Sequence, residues 1–199
     1  NGFSDLLLEG DHDHNTRREF REQIWASTTA LTTLLENMLE LSRLVSSEEP
    51  LPLAETDLGL LCAERLQIQR ELSQNPSVEY ILKGRGTCVI PTNETYMTRV
   101  IDNLLQNAAK FTATGSITVC CEKDDRERRF HILVADTGIG IVPDKQEWVF
   151  DRFTKVDSFK PGSGIGLYLC RLIVTRLGGA IRVCPDYRAG CCIEITLPY

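Results

Sequence analysis

The sequence lacks any apolar run long enough to cross a membrane, and it lacks an excess of basic charge. No stretch of its 199 residues approaches the roughly 20 apolar residues that a transmembrane helix needs, and no signal peptide opens the chain. The formal net charge of -6 argues against broad nucleic-acid binding, which requires a basic surface. We therefore expect a cytoplasmic domain that reaches a membrane only through regions outside this sequence.

The cysteines lack the spacing of a metal site. The chain has 8 of them, but none forms a C-x-x-C pair, and no histidine stands at ligand spacing from any of them. Zinc binding is therefore not expected. Adjacent cysteines such as Cys120 and Cys121 point to opposite faces of a strand. We interpret the cysteines as reduced, small apolar residues of a cytosolic protein.

Residues 1–48 predict part of a helical hairpin. Residues 3–9 have the pattern of a helix end, residues 10–15 form a polar turn, and Asn15 or Thr16 can cap the second helix. A heptad seam then runs along Phe20, Ile24, Ser27, Leu31, Leu34, Met38, Leu41 and Val45. One apolar seam requires a partner, so we expect a homodimeric four-helix bundle. We expect the first helix to be truncated and the chain to be a fragment of a longer protein.

Proline residues end this helical region and predict a linker over residues 49–53, followed by a second domain over residues 54–199. Apolar patterns in that domain predict helices over 57–73, 92–111, 144–150 and 164–177. Alternating patterns and turn signals predict strands over 78–83, 88–90, 116–123, 129–136, 180–184 and 191–197. This order predicts an α+β fold, a two-layer sandwich with helices on one face of a mixed sheet.

The predicted helix over residues 92–111 carries a polar row. Asn103, Asn107 and Lys110 are spaced four and three residues apart, so they share one face of the helix. A carboxamide oxygen is a suitable ligand for Mg²⁺, which binds nucleotide phosphates at the same time, and a lysine one turn away adds positive charge. Taken alone, the row is also compatible with an ordinary solvated helix surface.

A carboxylate ends the predicted strand over residues 129–136. Asp136 is followed by Gly138 and Gly140, which let the backbone turn tightly and approach a ligand closely. A buried carboxylate there can accept a hydrogen bond from the amino group of adenine, whereas guanine offers no donor at that edge. A simple turn after an edge strand is the alternative interpretation.

A second glycine motif, Gly162, Gly164 and Gly166, precedes the last predicted helix. Backbone amides in such a loop, with a helix amino terminus behind them, form an anion site. The motif is not a Walker loop, because no Gly-Lys-Ser/Thr follows, and its spacing does not fit a dinucleotide fingerprint. Phe150 and Phe153 lie between the two glycine motifs, where they can seat a mobile lid or pack in the core.

Residues 53–199 resemble the catalytic domain of sensor histidine kinases in the order and spacing of these motifs. The segments 103–112, 136–140, 150–153 and 162–166 resemble the N box, first glycine box, F box and second glycine box of that family. The resemblance implies the Bergerat ATP-binding fold. It also implies that Asn107 holds Mg²⁺ with Asn103 assisting, that Lys110 contacts phosphate and that Asp136 recognises adenine. The other residues it places at the nucleotide are Phe111, Gly138, Gly140, Phe150, Phe153, Gly162, Gly164, Ile165, Gly166 and Leu167.

The resemblance extends into the helical part, where residues 2–7 and 37–43 are similar to the two helix ends of the family's dimerisation and phosphotransfer hairpin. It implies that the phosphoacceptor histidine precedes this sequence, because His12, His14 and His131 lack the family's context. The implied reaction transfers the γ-phosphoryl group of ATP to a histidine and then to an aspartate of a response-regulator receiver domain. Asn103, Asn107 and Lys110 are the implied catalytic groups.

Three alternatives remain open at the level of sequence. A hydrolysing ATPase of the gyrase type needs a glutamate to activate water where this chain has Asn103, an amide that is a poor base. The intact metal, base and lid residues argue against a catalytically silent ATP-binding or dimerising scaffold, although the sequence does not exclude a closed, inactive lid. A related serine-directed kinase, of the mitochondrial or anti-sigma type, is disfavoured by the heptad hairpin.

Overall fold

The helices and strands lie within residues 14–47, 49–84, 88–155 and 163–199, the part of the chain that the computed structural model describes. The helices are α1 (His14–Ser46), α2 (Leu58–Leu72), α3 (Glu94–Phe111) and α4 (Gly166–Arg176). The strands are β1 (Ala54–Asp57), β2 (Val78–Lys83), β3 (Val89–Thr92), β4 (Gly115–Asp124), β5 (Arg129–Asp136), β6 (Ala180–Val183) and β7 (Cys192–Pro198).

A mixed sheet forms one layer of the fold. Among the described residues it is 5-stranded, in the order β2-β4-β5-β7-β6, and β1 pairs with β3 in a separate antiparallel ribbon. The strand β2 is parallel to β4, and the remaining pairs in the larger sheet are antiparallel. The register sets Ile117 opposite Asp136 and Ala135 opposite Cys192. The predicted mixed sheet is therefore confirmed.

Helices cover one face of this sheet. Alternation along β5 turns Phe130, Ile132 and Val134 toward the helices, where they are buried. The residues of α3 and α4 that pack against them are Met97, Val100, Ile101, Leu104, Leu105, Ala108, Leu169, Cys170, Ile173 and Val174. Each large apolar side chain buried in this way contributes about 1.5–3 kcal/mol. The packing confirms the predicted two-layer α+β sandwich.

Side-chain caps fix where two of the helices begin. The carboxylate of Asp57 accepts hydrogen bonds from the amides of Gly59 at 3.0 Å and Leu60 at 3.1 Å, as the sequence predicts. A further hydrogen bond from the Cys88 amide is the main cause that lowers the pKa of Asp57. For α3 the predicted start at Thr92 is wrong by two residues, because Thr92 ends β3 and Asn93 caps the helix.

Two predicted boundaries are corrected by the structure. The helix predicted over residues 144–150 is only a 3₁₀ turn, Pro143–Lys145, followed by irregular turns. The indole Nε1 of Trp148 donates to the Asp144 carbonyl at 2.6 Å, and so occupies the acceptor that its own amide would use in an α-helix. His14 and Asn15, predicted in a turn, lie in α1. Predictions for residues 1–13 and 156–162, Gly162 included, fall outside the described residues.

The helix α1 packs its carboxyl-terminal half against the sandwich. Arg99 of α3 donates to Asn37 Oδ1 at 2.9 Å and forms an ion pair with Glu40. Arg176 of α4 donates to the Leu44 carbonyl at 2.9 Å. Other apolar residues of α1 are exposed. Among them is Trp25, in the amino-terminal half of the helix, which is 76% exposed. None of the helices in the described ranges is apolar enough over a sufficient length to span a bilayer.

Candidate nucleotide site

A cavity of about 280 Å³ opens between α3 and the ends of β5 and β7. This volume is close to the lower end of the range for small-molecule sites, which starts at roughly 300 Å³. The sequence-predicted site residues that line it are Asn103, Asn107, Lys110, Phe111, Asp136, Gly140, Gly164, Gly166 and Leu167. Residues from the N-box segment and from both glycine motifs are thus brought to one cavity.

Other predicted site residues lie elsewhere in the described structure. Gly138 sits behind Asp136, and its amide donates to Asp136 Oδ1 at 2.8 Å. Phe150 is buried in the core, and Ile165 is fully buried. Phe153 is 64% exposed and has a left-handed backbone with φ 63°. None of these four residues lines the cavity.

Asp136 presents a carboxylate at the end of β5 with only one of its oxygens used. Its Oδ1 accepts hydrogen bonds from the amides of Gly138 at 2.8 Å and Cys191 at 3.3 Å. Within the described residues, Oδ2 accepts no hydrogen bond. Burial raises the pKa of Asp136, and the two amide hydrogen bonds oppose that rise. The side chain is only 6% exposed, so a donor group entering the cavity would find an oriented acceptor.

The turn after β5 requires glycine at Gly138. A Cβ at this position would lie 2.4 Å from the Phe111 carbonyl oxygen and 3.0 Å from Asp136 Oδ1. The first of these contacts is with backbone, which cannot rotate away as a side chain can. The turn therefore packs directly against the carboxyl end of α3, and this packing fixes the position of Asp136 relative to Phe111.

The polar row of α3 forms another wall of the cavity. Asn103, Asn107 and Lys110 are partly exposed, whereas Leu104 and Ala108 beside them are buried. The Nζ of Lys110 lies 4.8 Å from the centre of the Phe111 ring. The row therefore brings two carboxamides and one ammonium group to the same cavity as the Asp136 carboxylate.

The helix α4 begins beside this row. A Cβ on Gly166, its first residue, would lie 2.6 Å from the Oδ1 of Asn103. The Oγ of Ser163 accepts a hydrogen bond from the Ile165 amide at 3.3 Å. A helix amino terminus carries partial positive charge, so this end of the cavity favours an anion.

Several lining residues were not found from the sequence. Thr33 and Asn37 reach the cavity from α1, and Cys191 reaches it from the segment before β7. No local motif marks them, because their place depends on how distant segments pack. The apolar lining residues that were also missed are Leu104, Ala108, Val134, Ile139, Ile141, Val149 and Ile193. For Val134 and Ile193, which are strand residues, alternation could have indicated the face but not the cavity.

A protein-family model described as histidine kinase-, DNA gyrase B-, and HSP90-like ATPase matches residues 92–199, which is more than half of the chain. The chain belongs to this family. The matched residues include α3, the turn after β5 and the start of α4, which are the segments that build the cavity.

Individual relatives of this ATPase family cover different shares of the chain. The sensor-like histidine kinase SenX3 of Mycobacterium tuberculosis is 27% identical over 200 residues, which cover 98% of this chain and 48% of SenX3. The sensor protein SrrB of Staphylococcus aureus is 38% identical over 107 residues, covering 51% of this chain and 18% of SrrB. The chain therefore spans about half the length of SenX3, and its match covers a smaller part of SrrB. Together with the family match, these relatives confirm the resemblance to sensor histidine kinase catalytic domains.

Among solved structures, full-length ShkA in complex with AMPPNP is similar, with a TM-score of 0.77 and 24% identity. The similarity covers 97% of this chain and 41% of ShkA. At this level of identity the likeness shows the fold alone, and it includes α1 as well as the sandwich, since nearly the whole chain is covered.

Proposed function

We propose that this chain is the kinase core of a two-component sensor histidine kinase. It binds ATP with Mg²⁺ and supports transfer of the γ-phosphoryl group to a histidine, for relay to an aspartate of a response-regulator receiver domain. One observation carries the proposal: the same cavity is lined by Asp136, whose Oδ2 is left to accept a hydrogen bond, and by the row Asn103, Asn107 and Lys110. The names of the relatives and the AMPPNP bound to ShkA support it.

Asp136 suits the adenine end of the nucleotide. Its Oδ1 is engaged by two backbone amides, so Oδ2 is the acceptor left for an exocyclic amino group. The apolar lining residues Val134, Ile141 and Ile193 provide surfaces for a flat base. Adenine offers an amino donor at the edge where guanine carries a carbonyl oxygen, so this site selects ATP over GTP.

The row on α3 and the start of α4 suit the phosphates. The carboxamide oxygens of Asn107 and Asn103 would hold Mg²⁺, which neutralises charge on the phosphate oxygens when it is bound. Lys110 supplies a positive charge one turn along the helix, and the amides at the start of α4 add partial positive charge near Gly164 and Gly166. Positioning and charge neutralisation are most of what phosphoryl transfer requires from a protein.

The helical part fits a dimeric phosphotransfer hairpin. Thr33 and Asn37 of α1 line the nucleotide cavity, so this helix lies next to the site from which the phosphoryl group would leave. Its exposed apolar residues, among them Leu31 and Leu35, offer a seam for a second copy of the chain. We place this kinase core in the cytoplasm, with the phosphoacceptor histidine in a part of the protein outside this sequence.

Calorimetric titration of ATP with and without Mg²⁺ tests the proposal. We expect Mg²⁺-dependent binding by the chain, and loss of that dependence in Asn107→Ala. Gln67→Ala is the matched control, because it removes an exposed amide from α2, where Gln67 bonds only to Glu71 in the described structure. In the full-length protein, Asn107→Ala should also abolish histidine phosphorylation by ATP. Unchanged affinity, Mg²⁺ dependence and phosphorylation in Asn107→Ala would refute the assignment.

A further inference from the structure

Two cysteines on the side of the sheet away from the helices take no part in the proposed nucleotide chemistry. Cys184 follows β6, and Cys192 begins β7. The register pairs Val183 with Ile193, and the Cys184 amide continues the ladder by donating to the Cys192 carbonyl at 2.8 Å. Paired residues of antiparallel strands point to the same face with Cα atoms about 4.5–5.5 Å apart, which lies within the range of Cα separations found in disulfides.

The two thiols are chemically unequal. A hydrogen bond from the Cys192 thiol lowers the pKa of Cys184, and the positive charge of Arg182 acts in the same direction. The same hydrogen bond, together with burial, raises the pKa of Cys192. Cys184 is half-buried, whereas Cys192 is only 4% exposed. An accessible thiol with a lowered pKa is the one that reacts with peroxide, and a neighbouring thiol then resolves the product.

We propose that Cys184 and Cys192 form a peroxide-reactive dithiol whose oxidation weakens nucleotide binding. The Cys184 thiolate attacks one oxygen of hydrogen peroxide, which gives a sulfenic acid and releases hydroxide. The Cys192 sulfur then attacks the sulfenic sulfur, and the sulfenic oxygen leaves as water with the Cys192 proton. The hydroxide takes up the proton first lost from Cys184. In total, two thiols and one peroxide give one disulfide and two water molecules.

The connection to the nucleotide cavity runs through the residue next to Cys192. The amide of Cys191 donates to Asp136 Oδ1 at 3.3 Å, and the amide of Asp136 donates to the Cys191 carbonyl at 2.7 Å. A disulfide brings two hydrogen-bonded sulfur atoms to about 2 Å from each other. This movement shifts Cys192 and the adjoining Cys191, and so displaces the Cys191 amide that donates to Asp136 Oδ1. The coupling rests on the proposed function, in which Asp136 recognises adenine.

Neighbouring cysteines are poorer candidates for the same reaction. Burial raises the pKa of Cys191 to about 12, and that residue points to the opposite side of the strand from Cys192. Burial and the hydrogen bond to Glu122 raise the pKa of Cys120 to about 11. Cys62 is fully buried in the core. Cys121 is the rival, because it is half-buried and a hydrogen bond from the Cys62 thiol lowers its pKa. Peptide mapping must therefore distinguish a link between Cys184 and Cys192 from one between Cys62 and Cys121.

Peptide mapping tests the disulfide directly. Trypsin cleavage after Arg182 and Arg188 places Cys184 in the peptide 183–188 and Cys192 in the peptide 189–199. The chain is treated with hydrogen peroxide, alkylated with N-ethylmaleimide and digested. We expect the two peptides to be joined in the unmodified chain and in the controls Cys120→Ser and Cys191→Ser, and separate in Cys184→Ser and Cys192→Ser. Full alkylation of both peptides after peroxide, or loss of the link in Cys191→Ser, overturns the proposal.

Titration of ATP with Mg²⁺ into the oxidised and the reduced chain tests the coupling. We expect about tenfold weaker binding after oxidation, a size typical of coupled sites. Dithiothreitol should restore the affinity, and peroxide should leave the affinity of Cys192→Ser unchanged. Equal affinities of the oxidised and reduced chain contradict the coupling. Because the peptide link is measured without nucleotide, its result is independent of whether the proposed function is correct.

Discussion

The turn after β5 and the polar row of α3 are two walls of one cavity, and their polar groups are held differently. At the turn, Asp136 is fixed by backbone amides of Gly138 and Cys191, and Gly138 packs against a backbone carbonyl. On α3, Asn103 meets Gly166 through the end of a side chain. The first wall cannot adjust without moving backbone, whereas the second can change by rotation of a side chain. Substitutions in the two walls should therefore have unequal consequences.

The largest effect is expected from Gly138→Ala. The new Cβ would collide with the Phe111 carbonyl oxygen, a backbone atom at 2.4 Å, so the turn must move away from α3. We expect a loss of about 3 kcal/mol in the free energy of unfolding, at the upper end of overpacking effects, together with loss of ATP binding. Chemical denaturation and calorimetry measure the two effects. A variant as stable as the unmodified chain would show that this wall is not rigid.

Asp136→Asn should separate binding from stability. The amide keeps an oxygen for the Gly138 and Cys191 amides but turns a donor toward the amino group of adenine. We expect ATP affinity to fall roughly 100-fold. The hydrogen bond from adenine to a charged carboxylate is lost, and the amide NH₂ group of the variant faces the amino group of adenine, so that two donors oppose each other.

The stability of Asp136→Asn follows from the direction of the pKa shift. Burial raises the pKa of Asp136 in the folded state, so its stabilising contribution is present below the ordinary pKa and is lost as pH rises through the raised pKa. At pH 7 the variant, which carries no charge, should melt at the same temperature as the unmodified chain or higher. The difference should narrow as pH falls. Asp186→Asn, at an exposed carboxylate that makes no hydrogen bond or ion pair with the described residues, is the control. A lower melting temperature for Asp136→Asn at pH 7 would contradict this account.

Gly166→Ala should have a smaller effect, confined to the phosphate end. The new Cβ meets the Oδ1 of Asn103 at 2.6 Å, and that side chain can rotate away. We expect the free energy of unfolding to change by less than about 1 kcal/mol, since alanine also favours the helix. ATP affinity in the presence of Mg²⁺ should fall about tenfold, because Asn103 no longer faces the metal. The same loss without Mg²⁺ would argue against a metal role for Asn103.

The smallest effect on ATP affinity is expected from Arg99→Ala, because this residue does not line the cavity. Its loss leaves Glu40 without the ion pair that offsets its burial, and burial already raises the pKa of Glu40. We expect contacts of α1 with the sandwich to weaken by about 1–3 kcal/mol, the cost of a buried group left unpaired. Hydrogen exchange in α1 should accelerate while exchange in α3 and β5 stays the same. Unchanged exchange in α1 would show that Arg99 does not hold this helix.

The sequence predicts local features of this molecule better than contacts between distant segments. The row Asn103, Asn107 and Lys110 follows from helical spacing, and the position of Asp136 follows from strand alternation and the glycines after it. The helix predicted over residues 144–150 is wrong, because the Trp148 side chain takes a carbonyl that the helix would need. Such a competition between side chain and backbone leaves no trace in apolar spacing.

The residues that reach the candidate site from distant segments of the chain could not be predicted from the sequence. Cys191 reaches Asp136 across 55 residues of sequence, because β7 pairs with β5 in a register that no local pattern specifies. Thr33 and Asn37 join the cavity only through the packing of α1. The roles of the lining residues, unlike their positions, remain predictions from the resemblance and from the chemistry of their side chains.

Parallel calorimetric titrations of ATP and GTP, each with Mg²⁺, into the unmodified chain test the central claim most directly. If the Asp136 carboxylate selects the base, ATP should bind at least about 100-fold more tightly than GTP, because guanine sets a carbonyl oxygen against the carboxylate. Equal affinities for the two nucleotides, or binding of neither, would contradict a rigid adenine-recognising wall in this cavity.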